Sequence, residues 1–95
     1  TITIDDGAKA ALAAGRSLLP AGVTSVAGEF GRGEAVRVTD QSGAELGRGL
    51  IAYPSDEAQV IMGLRSDAIE NILGYRGRDE LIHRDDLALV GYGSS

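Results

Sequence analysis

AVRVTDQSGAELGRGL, residues 35–50, is the stretch whose reading decides the fold. Val36 and Val38 alternate with Arg37 and Thr39 at the period of a half-buried strand. Asp40-Gln41-Ser42-Gly43 has the residue types that close a hairpin. The return strand should run through Leu46 and Leu50 to Tyr53, yet Gly47 and Gly49 sit inside it. Glycine weakens pairing unless the strand bends or bulges there, so the sheet is expected to be sharply curved. Short curved strands bury most apolar surface in a small closed or nearly closed barrel with helices over its openings.

Working outward, Thr1-Ile2-Thr3-Ile4 predicts a short strand, stopped by Asp5 and Asp6. Either carboxylate can cap a helix over 7–14, whose Ala8, Ala11 and Leu12 form a narrow apolar stripe and which Gly15 ends. In Leu18-Leu19-Pro20-Ala21-Gly22, Pro20 fixes its own φ and extends Leu19, which predicts a type I turn leading into a strand over 23–27. A glycine-rich loop follows over 28–33. Beyond the hairpin, Pro54 to Glu57 opens a short helix carrying Ala58, Ile61 and Met62 and ended by Gly63. Ser66 and Asp67 open another with Ile69, Ile72 and Leu73, ended by Gly74. Tyr75 to Arg78 reads as a turn, Leu81-Ile82 as a strand, Asp85-Asp86 as a tight turn and 87–90 as the last strand. The expectation is one mixed α/β, mainly β, domain over 1–90, with about six short strands, three short helices and a flexible tail over 91–95.

Ninety-five residues suffice for one core, and 43% apolar with 24% charged residues is ordinary globular usage. Without cysteine there are neither disulfides nor thiolate metal sites, and the cytoplasm is the expected compartment. No apolar run approaches the roughly 20 residues of a membrane span, so no membrane partner is expected. A chain that enters a strand directly at Thr1 reads as a piece of a longer protein. The net charge of -5 opposes a phosphate backbone unless a local basic patch overcomes it.

Four features bear on chemistry. His83, the single histidine, lies beside Arg84, Asp85 and Asp86 without a recognisable nucleophile, and reads as a strand-end residue bonded to the adjoining turn. The pairs Asp5/Asp6, Asp56/Glu57 and Asp85/Asp86 stand at helix starts or in a tight turn, where negative charge is locally useful; with Asp79/Glu80 they read as structural. Gly31-Arg32-Gly33, Gly47-Arg48-Gly49 and Gly74-Tyr75-Arg76-Gly77 lack the context of a phosphate loop and read as turn and bulge glycines. Arg76, Arg78, His83 and Arg84 form the densest basic cluster, interleaved with Asp79, Glu80, Asp85 and Asp86. Stacking platforms are few: Phe30, Tyr53, Tyr75 and Tyr92. No catalytic residue and no metal ligand is predicted.

GRSLLPAGV at 15–23, RGL at 48–50, YPSDE at 53–57 and ILGYRGRDELIHRDDL at 72–87 together resemble the C-terminal PUA domain of bacterial glutamate 5-kinases. The resemblance implies a PUA-like pseudobarrel and a regulatory or interaction role. It further implies an amino-acid-kinase domain in the same chain that binds ATP, Mg and glutamate, makes glutamyl 5-phosphate for proline synthesis, responds to proline and assembles as a homo-oligomer. No cofactor is expected in the present residues. PUA domains elsewhere bind structured RNA through the loop after the first helix and the last strand. That alternative places RNA contacts on Arg16, Ser17, Leu18, Leu19, Pro20, Ala21 and Gly22, with His83 and Arg84 on the last-strand side and Arg76 and Arg78 of the basic cluster as further candidates.

Overall fold

Ile2 and Ile4, the apolar half of the opening stretch, are fully buried, and the sheet is built around them. The computed structural model describes residues 1–75 and 77–89. Arg76 and the expected tail over 91–95, together with Val90, lie outside the described residues. Among the described residues the elements are β1 (Ile2–Ile4), α1 (Asp6–Ala13), β2 (Val23–Val26), β3 (Ala35–Thr39), β4 (Glu45–Leu50), α2 (Ser55–Ile61), α3 (Ile69–Leu73) and β5 (Leu87–Leu89). Single 3-10 turns occupy Pro20–Gly22, Ser66–Ala68 and Arg84–Asp86.

The strands form one sheet in the order β2-β1-β3-β4-β5, with β1 parallel to β3 and every other neighbouring pair antiparallel. The architecture is mixed α/β, mainly β, and the barrel is a pseudobarrel rather than a closed one. The strand expected at Leu81 and Ile82 is instead an isolated bridge between Ile82 and Leu18. Both partners are fully buried, and short backbone bonds tie Leu18 to Ile82 and to its neighbour Leu81: Leu18 N donates to the Ile82 carbonyl at 2.9 Å, and Leu81 N to the Leu18 carbonyl at 2.8 Å.

The local signals around α1 act as expected. Asp5 accepts from Ala8 N at 2.7 Å, which satisfies one of the helix's unpaired donors. Gly15 adopts φ +83°, and Gly15 N and Arg16 N donate to the carbonyls of Leu12 and Ala11 in a Schellman closure. Gly22 N donates to the Leu19 carbonyl at 3.1 Å, closing the turn that Pro20 initiates.

The β3–β4 hairpin both bulges and admits close neighbours. Val38 pairs with Gly47 while Thr39 pairs with Glu45, so Leu46 is the extra residue and both Leu46 and Gly47 turn inward. A side chain at Gly47 would run into the Ala88 carbonyl of β5, and a Cβ at Gly49 would lie 2.6 Å from Ile82 Cγ2 and 3.0 Å from the Asp86 carbonyl oxygen. These glycines therefore admit the later strand as well as allowing a bend. On the outer face Arg37 and Arg48 stand directly opposite one another, and Glu45 bridges them at 2.7 and 3.5 Å. At the hairpin turn the Asp40 carboxylate accepts from Ser42 N, Ser42 Oγ and Ala44 N and pairs with Lys9 of α1 at 3.1 Å.

Two residues assigned to apolar helix stripes face outward instead. Met62 lies one position past the end of α2 in extended conformation and is exposed, and Ile72 of α3 is 51% exposed. Five residues complete little more than one turn, so α3 buries Ile69 and only part of Leu73.

Candidate binding clefts

Seven of the residues expected to contact RNA line two concave surfaces, Arg16, Ser17, Leu19, Ala21 and Gly22 the first and Arg78 and His83 the second; Leu18, Pro20 and Arg84 line neither. The first lies where α1 meets the turn after it and has a volume of about 420 Å³. Its floor is made by Ala8, Ala11 and Gly22, and Arg16, Ser17 and Leu19 stand along it. The helix packs tightly here, since a Cβ on Gly22 would come to 2.5 Å from that of Ala8. Leu18 and Pro20 are buried and fix the loop, whereas Arg16, Leu19 and Ala21 are exposed. Across the loop Arg84 N donates to Ser17 Oγ at 2.9 Å. The structure thus brings the segment after α1 beside the turn that leads into β5.

The second surface is a cleft of about 650 Å³ under the loop that follows α3. Its floor is the end of β4 and the segment beyond it, Leu50 to Tyr53. Tyr53 is buried and donates its hydroxyl hydrogen bond to the Arg78 carbonyl. Burial, followed by the negative charges of Asp79 and Glu57, holds the Tyr53 hydroxyl above its usual pKa, so it remains a donor. Tyr75 donates to Glu57, and this bond raises its pKa as well. Gly77 rests on the Tyr53 ring, where any side chain would strike the hydroxyl. These contacts fix the loop that presents Arg78.

Arg32 and His83 reach the same cleft from other parts of the chain, with Asp86 on its wall. His83 bonds the adjoining turn as expected, but it follows an isolated bridge rather than a strand: its Nδ1 accepts from Asp85 N at 3.1 Å, and Asp85 Oδ2 lies 3.6 Å away. Arg78 lies 3.7 Å from Glu80, the salt-bridged loop end anticipated from the interleaved charges. Arg32 has no ion pair or hydrogen-bond partner among the described residues, although its charge acts on both tyrosines. Arg76 lies outside the described residues. Among the described residues no group of three or more His, Asp or Glu side chains is arranged to hold a metal ion, and no helix is long and apolar enough to cross a membrane.

Sequence reasoning treated Gly31-Arg32-Gly33 and the Gly74–Gly77 segment as separate turns, and so missed that Arg32, Tyr53 and Tyr75 face one space. The local signal was an arginine between glycines and two tyrosines flanking short helices. Only the fold joins them.

Residues 1–73 match the PUA domain family. The chain is 62% identical over 91 residues to a glutamate 5-kinase of Paramagnetospirillum magneticum, covering 96% of this chain and 25% of that protein. It is 64% identical over 89 residues to a glutamate 5-kinase of Rhodospirillum rubrum, covering 94% of this chain and 24% of the relative. The chain thus spans about a quarter of the length of these curated relatives. Among solved structures, a PUA domain from Aeropyrum pernix K1, determined as a tartrate complex, superposes with a TM-score of 0.69 at 22% identity, over 97% of this chain and 44% of its own. A PUA domain protein from Thermoplasma acidophilum gives 0.59 at 14% identity, over 99% of this chain and 49% of its own. With the family matched over most of its length and the same pseudobarrel in solved relatives, the chain belongs to the PUA domain family, in the form that glutamate 5-kinases carry.

Proposed function

We propose that this domain is the regulatory and interaction module of a glutamate 5-kinase. In this reading an amino-acid-kinase domain of the same polypeptide binds ATP and Mg and phosphorylates glutamate to L-glutamyl 5-phosphate for proline biosynthesis in the cytoplasm. The PUA domain contributes to the response to proline and to the homo-oligomer without entering the chemistry. The observation that carries the proposal is identity of 62% and 64% to two glutamate 5-kinases across nearly the whole chain. The remaining three quarters of those proteins leaves ample length for a catalytic domain. The test compares the full-length kinase with a version lacking this domain, measuring activity against proline concentration and oligomeric mass. Loss of this domain should shift the inhibition curve or the number of subunits; identical curves and an identical subunit count overturn the proposal.

A second reading, an RNA-binding module, is favoured by one contact. The Ser17–Arg84 hydrogen bond joins the post-helix loop to the start of the last strand, the two elements PUA domains use for RNA. It predicts binding of structured RNA that weakens with salt and falls on Arg16→Ala or Arg84→Ala. No binding at low salt refutes it.

A further inference from the structure

We propose that the cleft over Tyr53 is a binding site for a small ligand that carries one oxyanion group, a carboxylate or a phosphate monoester, on a compact apolar body. Its volume of about 650 Å³ falls within the roughly 300–1,000 Å³ of ordinary small-ligand sites. Two arginines, Arg32 and Arg78, line it in a chain whose net charge is -5, and His83 stands on its wall. A guanidinium without a carboxylate partner attracts an anion locally against the overall field.

Two of the carboxylates nearby are engaged: Glu57 accepts from the Tyr75 hydroxyl, and Glu80 faces Arg78. Arg32 has no such partner among the described residues, so its five N–H donors are available to a fork-shaped acceptor. The backbone of Arg78 is fixed at the cleft, because its carbonyl receives the Tyr53 hydroxyl, and its guanidinium, 3.7 Å from Glu80, stands at the cleft's edge as a second donor. Exposed Leu50 and Tyr75 supply the apolar wall, being 47% and 37% exposed. Asp86 opposes a second negative group in the same space, which favours one oxyanion over a polyphosphate or a nucleic-acid backbone.

The test is an amide chemical-shift titration of this chain at low salt with four probes: phenyl phosphate, benzoate, inorganic phosphate and the neutral benzyl alcohol. Phenyl phosphate or benzoate should saturate with a Kd of about 1 mM or tighter, with shifts at Gly33, Ile51 and Gly77. Inorganic phosphate should bind at least about fivefold more weakly for want of the apolar body, and benzyl alcohol should not saturate. Whichever of the two aromatic anions binds tighter names the head group. Arg32→Gln and Arg78→Gln should each weaken binding about tenfold. Arg32 lies in an exposed loop, so unchanged dispersion in that variant shows that the fold is intact. The proposal is overturned if no anion saturates by about 20 mM. It is equally overturned if benzyl alcohol binds as well as the anions, if the shifts fall instead on Ala8 to Gly22, or if Arg32→Gln binds like the parent.

Discussion

The two clefts of this small domain are built by opposite means. The one beside α1 comes from contiguous chain: the capped helix, its Schellman closure and the proline turn place Ala8, Ala11, Arg16 and Leu19 within a few residues of one another. The Tyr53 cleft comes from four separated parts of the chain: Arg32, Tyr53, then Tyr75, Gly77 and Arg78, then His83 and Asp86. Its geometry depends on tertiary contacts, chiefly the Tyr53 hydroxyl and the close approach of Ile82 and β5 to the glycines of β4. Local chemistry alone yields an apolar ledge with Arg16 as its cation; long-range assembly yields a hollow with two arginines.

This contrast breaks most completely at Gly49. Gly49→Val drives a branched side chain into Ile82 Cγ2 and the Asp86 carbonyl, and is expected to cost about 3 kcal/mol, read as a lowered urea midpoint. Because Ile82 also bridges to Leu18, both clefts should lose amide protection together. An unchanged midpoint would mean that β5 stands farther from β4 than described.

Tyr53→Phe separates the clefts. Removing the hydroxyl leaves the Arg78 carbonyl without its donor, at an expected cost of about 1.5 kcal/mol by chemical denaturation. Hydrogen exchange should quicken in residues 77–80 and stay the same in α1. Asp5→Ala is the converse: loss of the bond to Ala8 N should cost about 1 kcal/mol and quicken exchange in the first turn of α1 while leaving the Tyr53 cleft unchanged. If either variant loosens both regions equally, the clefts are one cooperative unit and the contrast fails.

The smallest effect lies at the hairpin. The Ser42 hydroxyl and Lys9 hold the Asp40 carboxyl far below the usual range, and the bond from Arg37 lowers Glu45. A carboxylate whose folded pKa is depressed contributes stability fully present above its unfolded value. That contribution is lost as pH falls from about 4 toward the folded value. The urea midpoint should decline across that window, and Asp40→Asn should flatten the decline.

The α1 region was legible in the sequence because each of its devices acts within a few residues. Asp5 caps, Gly15 closes, and Pro20 turns the chain toward Val23. The positions of Gly47 and Gly49 were legible too, but half of their reason was not: the atoms they make room for belong to residues 82 to 88. Leu81-Ile82 has strand-forming residues, yet its partner is the single residue Leu18, which no local pattern specifies. Arg32 failed to stand out for the same reason, since what gives it meaning is Tyr53 and Arg78 across the fold.

The Leu18–Ile82 bridge carries a practical lesson about where this module can be trimmed. The family match ends at residue 73, but Leu81, Ile82 and β5 complete the packing around Leu18 and Gly49. A version shortened to the matched stretch would leave an unsealed, sticky seam and a bare strand edge open to other chains, so a usable minimal module should extend at least through Leu89.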